Sequence, residues 1–269
     1  MNVSRTVAEL REALAPLRVE NEIAFVPTMG ALHAGHLSLF AAAREESGVV
    51  VASIFVNPAQ FGPADDLERY PRDLESDARR ARDAGVDHLF VPAAEEIYPD
   101  GFQTWVEVGA LAEALEGAAR PGHFRGVATV CLKLFNIVQP THVYFGQKDA
   151  QQAAVIERMI RDLAVPVELR VVPTVRDDDG VALSSRNASL SRDEREAARA
   201  LPGALFAGER AHRAGDDPVA AARAVLAEEP RLTPEYVELA RFNGRLLLVA
   251  AARAGDTRLI DNVALEGEE

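Results

Sequence analysis

The stretch Phe25-Val-Pro-Thr-Met-Gly-Ala-Leu-His-Ala-Gly-His36 decides how this chain folds. A short apolar run, Ile23 to Val26, leads into it, and Pro27 and Gly30 then interrupt that run. From Leu32 onward the apolar residues recur at spacings of three and four, the period of a helix. The pattern therefore predicts a β-strand, a tight loop and a helix in succession.

His33 and His36 lie three residues apart, which places both on one face at the start of that helix. The N-terminus of a helix offers free N–H groups and the positive end of its dipole, and both attract phosphate. Taken alone, such a pair is also found among ordinary surface or core residues, and it is too small for a zinc site without a third ligand. Its position after a strand and a glycine loop favours a cradle for a triphosphate.

Composition limits the classes of protein that this chain can be. It has 269 residues, 48% of them hydrophobic, which is enough for one large domain or two smaller ones. The formal net charge of −13 argues against a nucleic-acid-binding surface but leaves room for a locally basic pocket. Cys131 is the one cysteine, which excludes an intramolecular disulfide and fits a reducing compartment, so we expect a cytoplasmic protein. It lies in an apolar run, as a buried structural thiol would.

Two further patterns bear on the membrane and on domain organisation. The first residues predict an amphipathic helix over 4–18 rather than a signal peptide, and no apolar run is long enough to span a membrane. Strand and helix patterns alternate from residue 22 to residue 172, which predicts an α/β fold with a Rossmann-like, doubly wound parallel sheet. After residue 190 the pattern changes to helices followed by a hairpin at Asn243-Gly244. We expect a domain over 1–174 and a smaller α+β C-terminal domain over 175–269.

Polar loops follow several of the predicted strands, where ligands bind in open parallel sheets. The loop Asn57 to Pro63 contains Asn57, Gln60 and Phe61, and an ordinary polar loop is the alternative interpretation. The sequence Gly146-Gln-Lys-Asp149 stands between a strand and a helix, a phosphate-binding arrangement that lacks the P-loop spacing. Lys148 is one of only two lysines in the chain, which makes its ammonium noteworthy.

Three segments farther along the chain contain charged residues of interest. Arg120 or Arg125 could clamp a carboxylate or a phosphate, and a solvated loop is the alternative. Asp177 to Asp179 precede a glycine and predict a turn, since the spacing of a calcium loop is not met. Two hydroxyls and a guanidinium, at Ser184 to Arg186, suit the β- and γ-phosphates of a nucleotide.

Seven blocks, in order along the chain, resemble those of a known enzyme family. They are PTMGALHAGH (27–36), SIFVNPAQF (53–61), YPRDLESD (70–77), RPGHFRGVATVCLKLFNIV (120–138), FGQKDAQQ (145–152), PTVRDDDGVALSSRN (173–187) and RLIDN (258–262). The first contains the HxGH signature of the nucleotidyltransferase superfamily. Together the blocks resemble the pantothenate synthetases, or pantoate–β-alanine ligases, over essentially the whole chain.

The resemblance implies an ATP-dependent condensation of pantoate with β-alanine through a pantoyl adenylate, releasing AMP and pyrophosphate. It implies that catalysis involves His36, His33, Lys148, Ser184, Ser185 and Arg186. It implies ATP contacts from Met29, Gly30, Ala31, Leu32, His33, Ala34, Gly35, His36, Gly146, Gln147, Lys148, Asp149, Val175, Leu183, Ser184, Ser185 and Arg186. For pantoate it implies Gln60, Gln152, Asn57, Phe61 and Arg120, with Gln60 also bordering β-alanine.

The same resemblance implies Mg²⁺ accompanying ATP, with Asp77 as the protein ligand, no tightly bound organic cofactor, and a homodimer. Two alternatives stand beside this interpretation. One is a different HxGH adenylyltransferase, whose acceptor would carry a second phosphate and require a cluster of basic residues. The loop Asn57 to Pro63 has no basic residue, which disfavours this alternative. The other is a nucleotide-binding sensor of the same fold, for which loss of His36 or Lys148 would have been the sign.

Overall fold

Within residues 1–62 and 66–265, the part of the chain that this computed structural model describes, six parallel strands form one sheet. The strands are β1 (Asn2–Ser4), β2 (Ile23–Thr28), β3 (Val49–Ile54), β4 (His88–Phe90), β5 (His142–Gly146) and β6 (Glu168–Val172), in the order β1-β4-β3-β2-β5-β6. The chain moves outward from β2 to β4 in one direction and from β5 to β6 in the other. The strand order therefore reverses between β2 and β5, and the histidine-bearing loop leaves the carboxyl end of β2 at that point.

Helices cover both faces of this sheet because successive side chains of a strand point in opposite directions. The helices are α1 (Val7–Leu14), α2 (Ala34–Glu46), α3 (Asp66–Arg69), α4 (Leu74–Asp83), α5 (Ala94–Ile97), α6 (Glu116–Ala119), α7 (His123–Val138) and α8 (Ala150–Asp162). Phe25 packs in a core with residues of α1, α7 and α8, such as Phe135, whereas its neighbour Val26 packs with residues of α2, such as Phe40. All of Val49 to Ala52 is buried, as a central parallel strand requires.

The C-terminal part of the chain forms a second, antiparallel sheet, with strands β7 (Leu232–Phe242), β8 (Arg245–Ala254) and β9 (Thr257–Ala264). Helices α9 (Arg192–Ala198), α10 (Ala200–Arg213) and α11 (Pro218–Ala227) precede it, and α10 packs on β8 and β9. Asn243 and Gly244 connect β7 to β8 with φ angles of 48° and 90°, the positive values that a two-residue type I′ hairpin needs. The predicted hairpin is confirmed.

The chain divides into two compact units. Met1–Gly146 and Gln151–Val172 form the first, while Gln147–Ala150 belong with the described residues from Pro173 onward. The predicted fold class, a Rossmann-like doubly wound α/β sheet with a smaller C-terminal α+β part, is confirmed. The division at residues 174 and 175 into two domains stays a prediction. Among the residues described, no helix has both the length and the apolar character needed to cross a bilayer.

The structure differs from the sequence prediction in several elements. The alternating, strand-like sequence of residues 103–108 does not form a strand, and the Val106 N–H donates to Thr129 Oγ1 of α7 at 3.0 Å. The sequence after the Ser191 cap predicts one helix to about Ala207, but the structure has two helices that meet at Arg199. Pro202 explains the break, because it has no N–H to donate and its ring crowds the carbonyl four residues earlier. The edge strand β1 was missed, since three residues carry too little periodicity.

Candidate active site

The junction between β2 and α2 is built around the two histidines of the HxGH sequence. His33 is the N-cap of α2, and its Nδ1 accepts the N–H of Gly35 at 3.2 Å. Nδ1 of His36 accepts the N–H of His33 at 3.3 Å, so the two rings form a reciprocal capping box. Imidazoles here replace the Ser and Glu that usually make this arrangement. The helical spacing of apolar residues begins at Leu32, whereas the helix itself begins at Ala34 because His33 is its cap.

The capping bonds also fix the chemistry that the rings can offer. Because each Nδ1 accepts a backbone N–H, the neutral form of each ring carries its proton on Nε2. The two ring centroids are 4.1 Å apart with an interplanar angle of 54°. In the neutral rings both Nε2–H groups are donors, and they belong to residues at the start of a helix whose dipole favours negative charge.

Asp77 of α4 holds the loop that precedes the histidines. Its Oδ2 accepts the N–H of Ala31 at 2.8 Å and its Oδ1 accepts that of Leu32 at 2.8 Å. The side chain is buried, and Gly30 adopts a φ of 84° directly against it. A Cβ at residue 30 would lie 2.8 Å from Asp77 Oδ2, so glycine is needed both for its backbone angle and for the space.

These contacts do not fit the expectation that Asp77 is a magnesium ligand. Both carboxylate oxygens are directed at backbone N–H groups, and burial limits access to the remaining lone pairs. Over residues 1–62 and 66–265, no group of three or more His, Cys, Asp or Glu side chains could hold a metal ion. The role that this geometry assigns to Asp77 is to shape the loop, and Mg²⁺ binding by it stays a prediction.

A network of side chains holds Gln60, in the loop after β3. Asn57 is almost completely buried, and its Nδ2 donates to Gln60 Oε1 at 2.9 Å and to the Gly126 carbonyl at 3.2 Å. Its Oδ1 accepts the hydroxyl of Tyr98 at 2.8 Å and the N–H of Ala59 at 3.3 Å. Asn57, expected to contact pantoate, therefore has both of its amide protons and two acceptor positions bonded to the protein.

The main chain of Gln60 is held by a second residue, His123, at the start of α7. His123 Nδ1 lies 2.9 Å from the Gln60 carbonyl, and its Nε2 lies 3.1 Å from Arg120 Nη1. Since a guanidinium can only donate, Nε2 accepts and the ring proton is on Nδ1, from which it is donated to Gln60. Arg120, expected to bind pantoate, is thus linked to Gln60 through one imidazole. Gly126 lets α7 approach this loop, because a Cβ there would lie 2.2 Å from the Ala59 carbonyl.

The remaining residues expected to bind ATP or pantoate in this unit lie on the loops after β2 and β3 and at the start of α8. Met29 Sδ lies 3.1 Å from Gln60 Nε2, so the predicted ATP loop and the predicted pantoate residue are in contact. Phe61 packs edge-on against Tyr70 with centroids 6.0 Å apart, and the Tyr70 hydroxyl lies 3.4 Å from the Gly30 carbonyl. Gln152 is half-buried near the start of α8. Pro63 lies outside the described residues.

In the second unit, Asn262 of β9 fixes the loop that contains Lys148. Its Nδ2 donates to the carbonyls of Gln147 and Lys148 at 2.9 Å and 3.0 Å, and its Oδ1 accepts from Gln147 Nε2 at 2.9 Å. Lys148 Nζ lies 3.4 Å from Asp149 Oδ1, and its side chain is mostly buried. Asn262 therefore holds the backbone of the turn that contains Lys148.

Lys148, Ser184 and Arg186 line one pocket, together with Arg258 and Asp261. Ser184 Oγ accepts the Arg186 N–H at 3.3 Å, which caps the 3-10 turn Ser185–Ser189. The expected ATP contacts Val175 and Leu183 are joined to each other, since the Leu183 N–H donates to the Val175 carbonyl at 3.0 Å. The structure thus places three of the four predicted phosphate-binding side chains in one pocket and leaves Ser185 out of its lining.

Two arginines order the segments around this pocket. Arg176 pairs with the buried Asp261 through contacts of 2.5 Å and 3.0 Å. Burial raises the pKa of Asp261, and the Arg176 guanidinium opposes that shift. Arg195 bridges Asp177 at 2.8 Å and Asp179 at 2.6 Å, so the predicted acidic turn is confirmed as a turn that an arginine neutralises.

The supporting roles of Tyr98, His123 and Asn262 and the loop-holding role of Asp77 were not evident from the sequence. Each acts on a residue far away in sequence: 41 positions separate Tyr98 from Asn57, and 115 separate Asn262 from Gln147. The one available signal was that His123 and Asn262 lie inside blocks of the resemblance.

Comparisons with known proteins give matches over essentially the whole chain. Residues 2–264 match the model of the family described as pantoate-beta-alanine ligase. The pantothenate synthetase of Moorella thermoacetica is 51% identical over 280 residues, covering 99% of both chains. That of Chloroflexus aurantiacus is 53% identical over 282 residues, covering 100% of this chain and 99% of its own.

Solved structures give the same result. Pantothenate synthetase from Thermus thermophilus superposes with a TM-score of 0.95 at 47% identity, covering 99% of this chain and 100% of its own. Pantoate-beta-alanine ligase from Francisella tularensis, complexed with β-γ ATP and β-alanine, superposes with a TM-score of 0.84 at 35% identity, covering 100% and 99%. With the family match and these relatives spanning essentially the whole chain, the protein belongs to the pantoate–β-alanine ligase family, the pantothenate synthetases.

Proposed function

We propose that this protein condenses pantoate with β-alanine at the expense of ATP, giving pantothenate, AMP and pyrophosphate. The full-length family match is the observation that carries the proposal. In the first half-reaction a carboxylate oxygen of pantoate attacks the α-phosphorus of ATP, and the bond to the β-phosphate breaks. In the second, the amine of β-alanine attacks the acyl carbon of the adenylate, loses a proton, and AMP leaves.

The histidine pair is proposed to stabilise the negative charge that moves to the phosphates in the first step. The Nε2–H groups of His36 and His33 can donate to phosphate oxygens, with His36 as the principal proton donor or cation. Such prearranged donors lower a barrier because they need no reorganisation when charge develops. The loop Met29 to Leu32, with Ala34 and Gly35 at the helix start, is proposed to bind ATP through its backbone.

In the second unit, Lys148, Ser184, Ser185 and Arg186 are proposed to act on the phosphates. The pocket that Lys148, Ser184 and Arg186 line supports this assignment for those three. Gly146, Gln147, Asp149, Val175 and Leu183 are proposed as further ATP contacts. An ammonium, hydroxyls and a guanidinium are the groups that bind phosphate oxygens with charge-assisted hydrogen bonds.

Pantoate is proposed to bind at Gln60, Gln152, Phe61 and Arg120, with Asn57 supporting Gln60, and β-alanine is proposed to border Gln60. Mg²⁺ is proposed to enter bound to the phosphates of ATP, in keeping with the preference of this ion for phosphate and water oxygens. We further propose that no organic cofactor is tightly bound, that the enzyme is a homodimer and that it works in the cytoplasm, where a single cysteine stays reduced.

Pantoate-dependent exchange of labelled pyrophosphate into ATP, with β-alanine left out, tests the first half-reaction and its substrate together. We expect exchange with pantoate and none with buffer alone. A folded protein that binds ATP but catalyses no exchange would favour an adenylyltransferase with another acceptor, or a nucleotide-binding sensor. If exchange occurs, we expect the addition of β-alanine to release AMP and to form pantothenate in equal amounts.

A further inference from the structure

The carboxamide of Asn57 can adopt only one of its two orientations. The Ala59 N–H faces Oδ1 at 3.3 Å and the Gly126 carbonyl faces Nδ2 at 3.2 Å. Both are backbone groups whose donor or acceptor character is fixed. Exchanging the oxygen and nitrogen of Asn57 would set donor against donor and acceptor against acceptor in a site that is 1% exposed.

The orientation of Asn57 determines that of Gln60 in turn. Since Asn57 Nδ2 is a donor, the Gln60 atom 2.9 Å from it must be the oxygen, Oε1. Gln60 Nε2 then points the other way, to Met29 Sδ at 3.1 Å, in the loop that leads to the histidine pair. Gln60 thus offers a donor rather than an acceptor on that side.

Tyr98 completes the hydrogen bonds of Asn57. Its hydroxyl lies 2.8 Å from Asn57 Oδ1 and donates to one lone pair of that oxygen, while the Ala59 N–H donates to the other. Burial raises the pKa of Tyr98, which keeps the hydroxyl protonated and therefore a donor. Its ring is fixed between Phe55, Phe102 and Trp105, at centroid distances of 6.3, 5.1 and 6.2 Å.

We infer that Tyr98 is a positioning residue for pantoate binding: its hydroxyl helps to hold in place the Asn57 carboxamide, which orients Gln60 so that Nε2 donates to an oxygen of pantoate. The inference rests on the proposed function and adds to it the direction of the hydrogen bond, with Gln60 as the donor. Gln60 recognises an acceptor, such as a carboxylate or hydroxyl oxygen. Asn57 supports this contact from behind and does not itself touch pantoate.

Replacing Gln60 by Glu tests the direction of that hydrogen bond. The quantity measured is the KM for pantoate in pyrophosphate exchange. One oxygen of Glu can still accept from Asn57, while the other removes the donor and adds a negative charge. We expect the KM of Gln60→Glu to rise about tenfold or more, at least as much as in Gln60→Ala, with the KM for ATP unchanged. A KM for pantoate close to wild type would show that Gln60 offers an acceptor and would overturn the inference.

Tyr98→Phe tests the positioning residue, with Tyr144→Phe as the matched control. Tyr144 also loses one hydroxyl bond, to Glu46 Oε2 at 3.0 Å, but this bond involves the last residue of α2. We expect Tyr98→Phe to raise the KM for pantoate about threefold to tenfold and Tyr144→Phe to leave it unchanged. Equal KM values in both variants would contradict the role of Tyr98.

A substrate-free measurement separates this inference from the proposed function. The side-chain NH₂ signal of Asn57 in ¹H–¹⁵N spectra should exchange slowly with water in the wild type and faster in Tyr98→Phe, but not in Tyr144→Phe. Unchanged exchange in Tyr98→Phe would overturn the inference. If the wild type catalyses no pyrophosphate exchange, the proposed function fails, and the NMR result still decides whether Tyr98 orders Asn57.

Discussion

At the scale of single residues, the helix-capping role of His36 can be separated from the chemical role proposed for it. Nδ1 of His36 caps the helix, and Nε2 is the atom proposed to donate to the phosphates. A substitution that keeps the cap but removes the second nitrogen would isolate the chemical role. Asparagine does this, because its Oδ1 stands the same number of bonds from the backbone as Nδ1.

We predict that His36→Asn slows adenylate formation by a factor of about 10² to 10⁴, with stability near that of the wild type. His36→Ala should be as slow and also less stable, since a lost cap costs about 1 kcal/mol. Single-turnover formation of pantoyl adenylate and urea unfolding measure the two effects. Turnover near wild type in His36→Asn would remove His36 from the mechanism.

A substitution at Gly30 tests whether the space beside Asp77 must stay free of a side chain. Gly30→Ala places a Cβ 2.8 Å from Asp77 Oδ2 at a φ of 84°, whereas a Cβ added at Gly101, at a φ of 80°, would meet no described atom within 4 Å. We predict that Gly101→Ala lowers the free energy of unfolding by about 1–2 kcal/mol through backbone strain alone. Gly30→Ala should lower it further and raise the KM for ATP. Equal losses in the two variants would show that the carboxylate moves away freely.

At the scale of elements, α4 and the β2–α2 loop act as one structure through a single carboxylate. Asp77 accepts two N–H groups from a loop 45 and 46 positions earlier in the chain. Asp73, the N-cap of the same helix, accepts the Ser76 N–H at 3.0 Å. The two aspartates thus allow one substitution to be compared at two sites.

We predict that Asp77→Asn destabilises the protein by about 1–3 kcal/mol, because an amide nitrogen would face a backbone N–H and leave it unsatisfied. Asp73→Asn should cost only a few tenths of a kcal/mol, since Asn and Asp are nearly equal N-caps. Urea unfolding followed by circular dichroism would measure both. The KM for ATP should rise in Asp77→Asn alone, and a stable Asp77→Asn variant would contradict the loop-holding role.

At the scale of the whole molecule, each compact unit has its own apolar core. Residues of both sheet faces fill the cores of the first unit, and α10, α11 and the antiparallel sheet enclose that of the second. Cys131, on α7, is buried in the first of these cores. Its thiol can therefore report the opening of that unit.

We predict that Cys131 does not react with a thiol reagent at pH 8 in the native protein and reacts fully in denaturant. Burial raises the pKa of Cys131 to about 12, so the reactive thiolate is scarce in the folded state. The raised pKa also makes stability depend on pH. Above the ordinary thiol pKa, Cys131 loses its proton in the unfolded state but keeps it in the folded state, so the free energy of unfolding falls as pH rises towards 12. Rapid labelling of native protein would show that this core opens readily.

What the sequence by itself determined was local. Alternating strand and helix patterns and the Asn243-Gly244 hairpin depend on neighbours within a few positions, and the predictions of fold class and hairpin are confirmed. Boundaries were less well determined: sequence periodicity could not see that His33 caps α2, nor that Pro202 divides the helix expected after Ser191.

Only the tertiary structure decided which polar groups meet. The sequence did not indicate that Asp77 accepts the N–H groups of Ala31 and Leu32, or that Asn57 donates to the carbonyl of Gly126. The physical reason is that a buried polar group takes the partner that the packed backbone presents, because leaving it unpaired costs free energy. That partner lies 69 positions away for Asn57, where no local pattern in the sequence can indicate it.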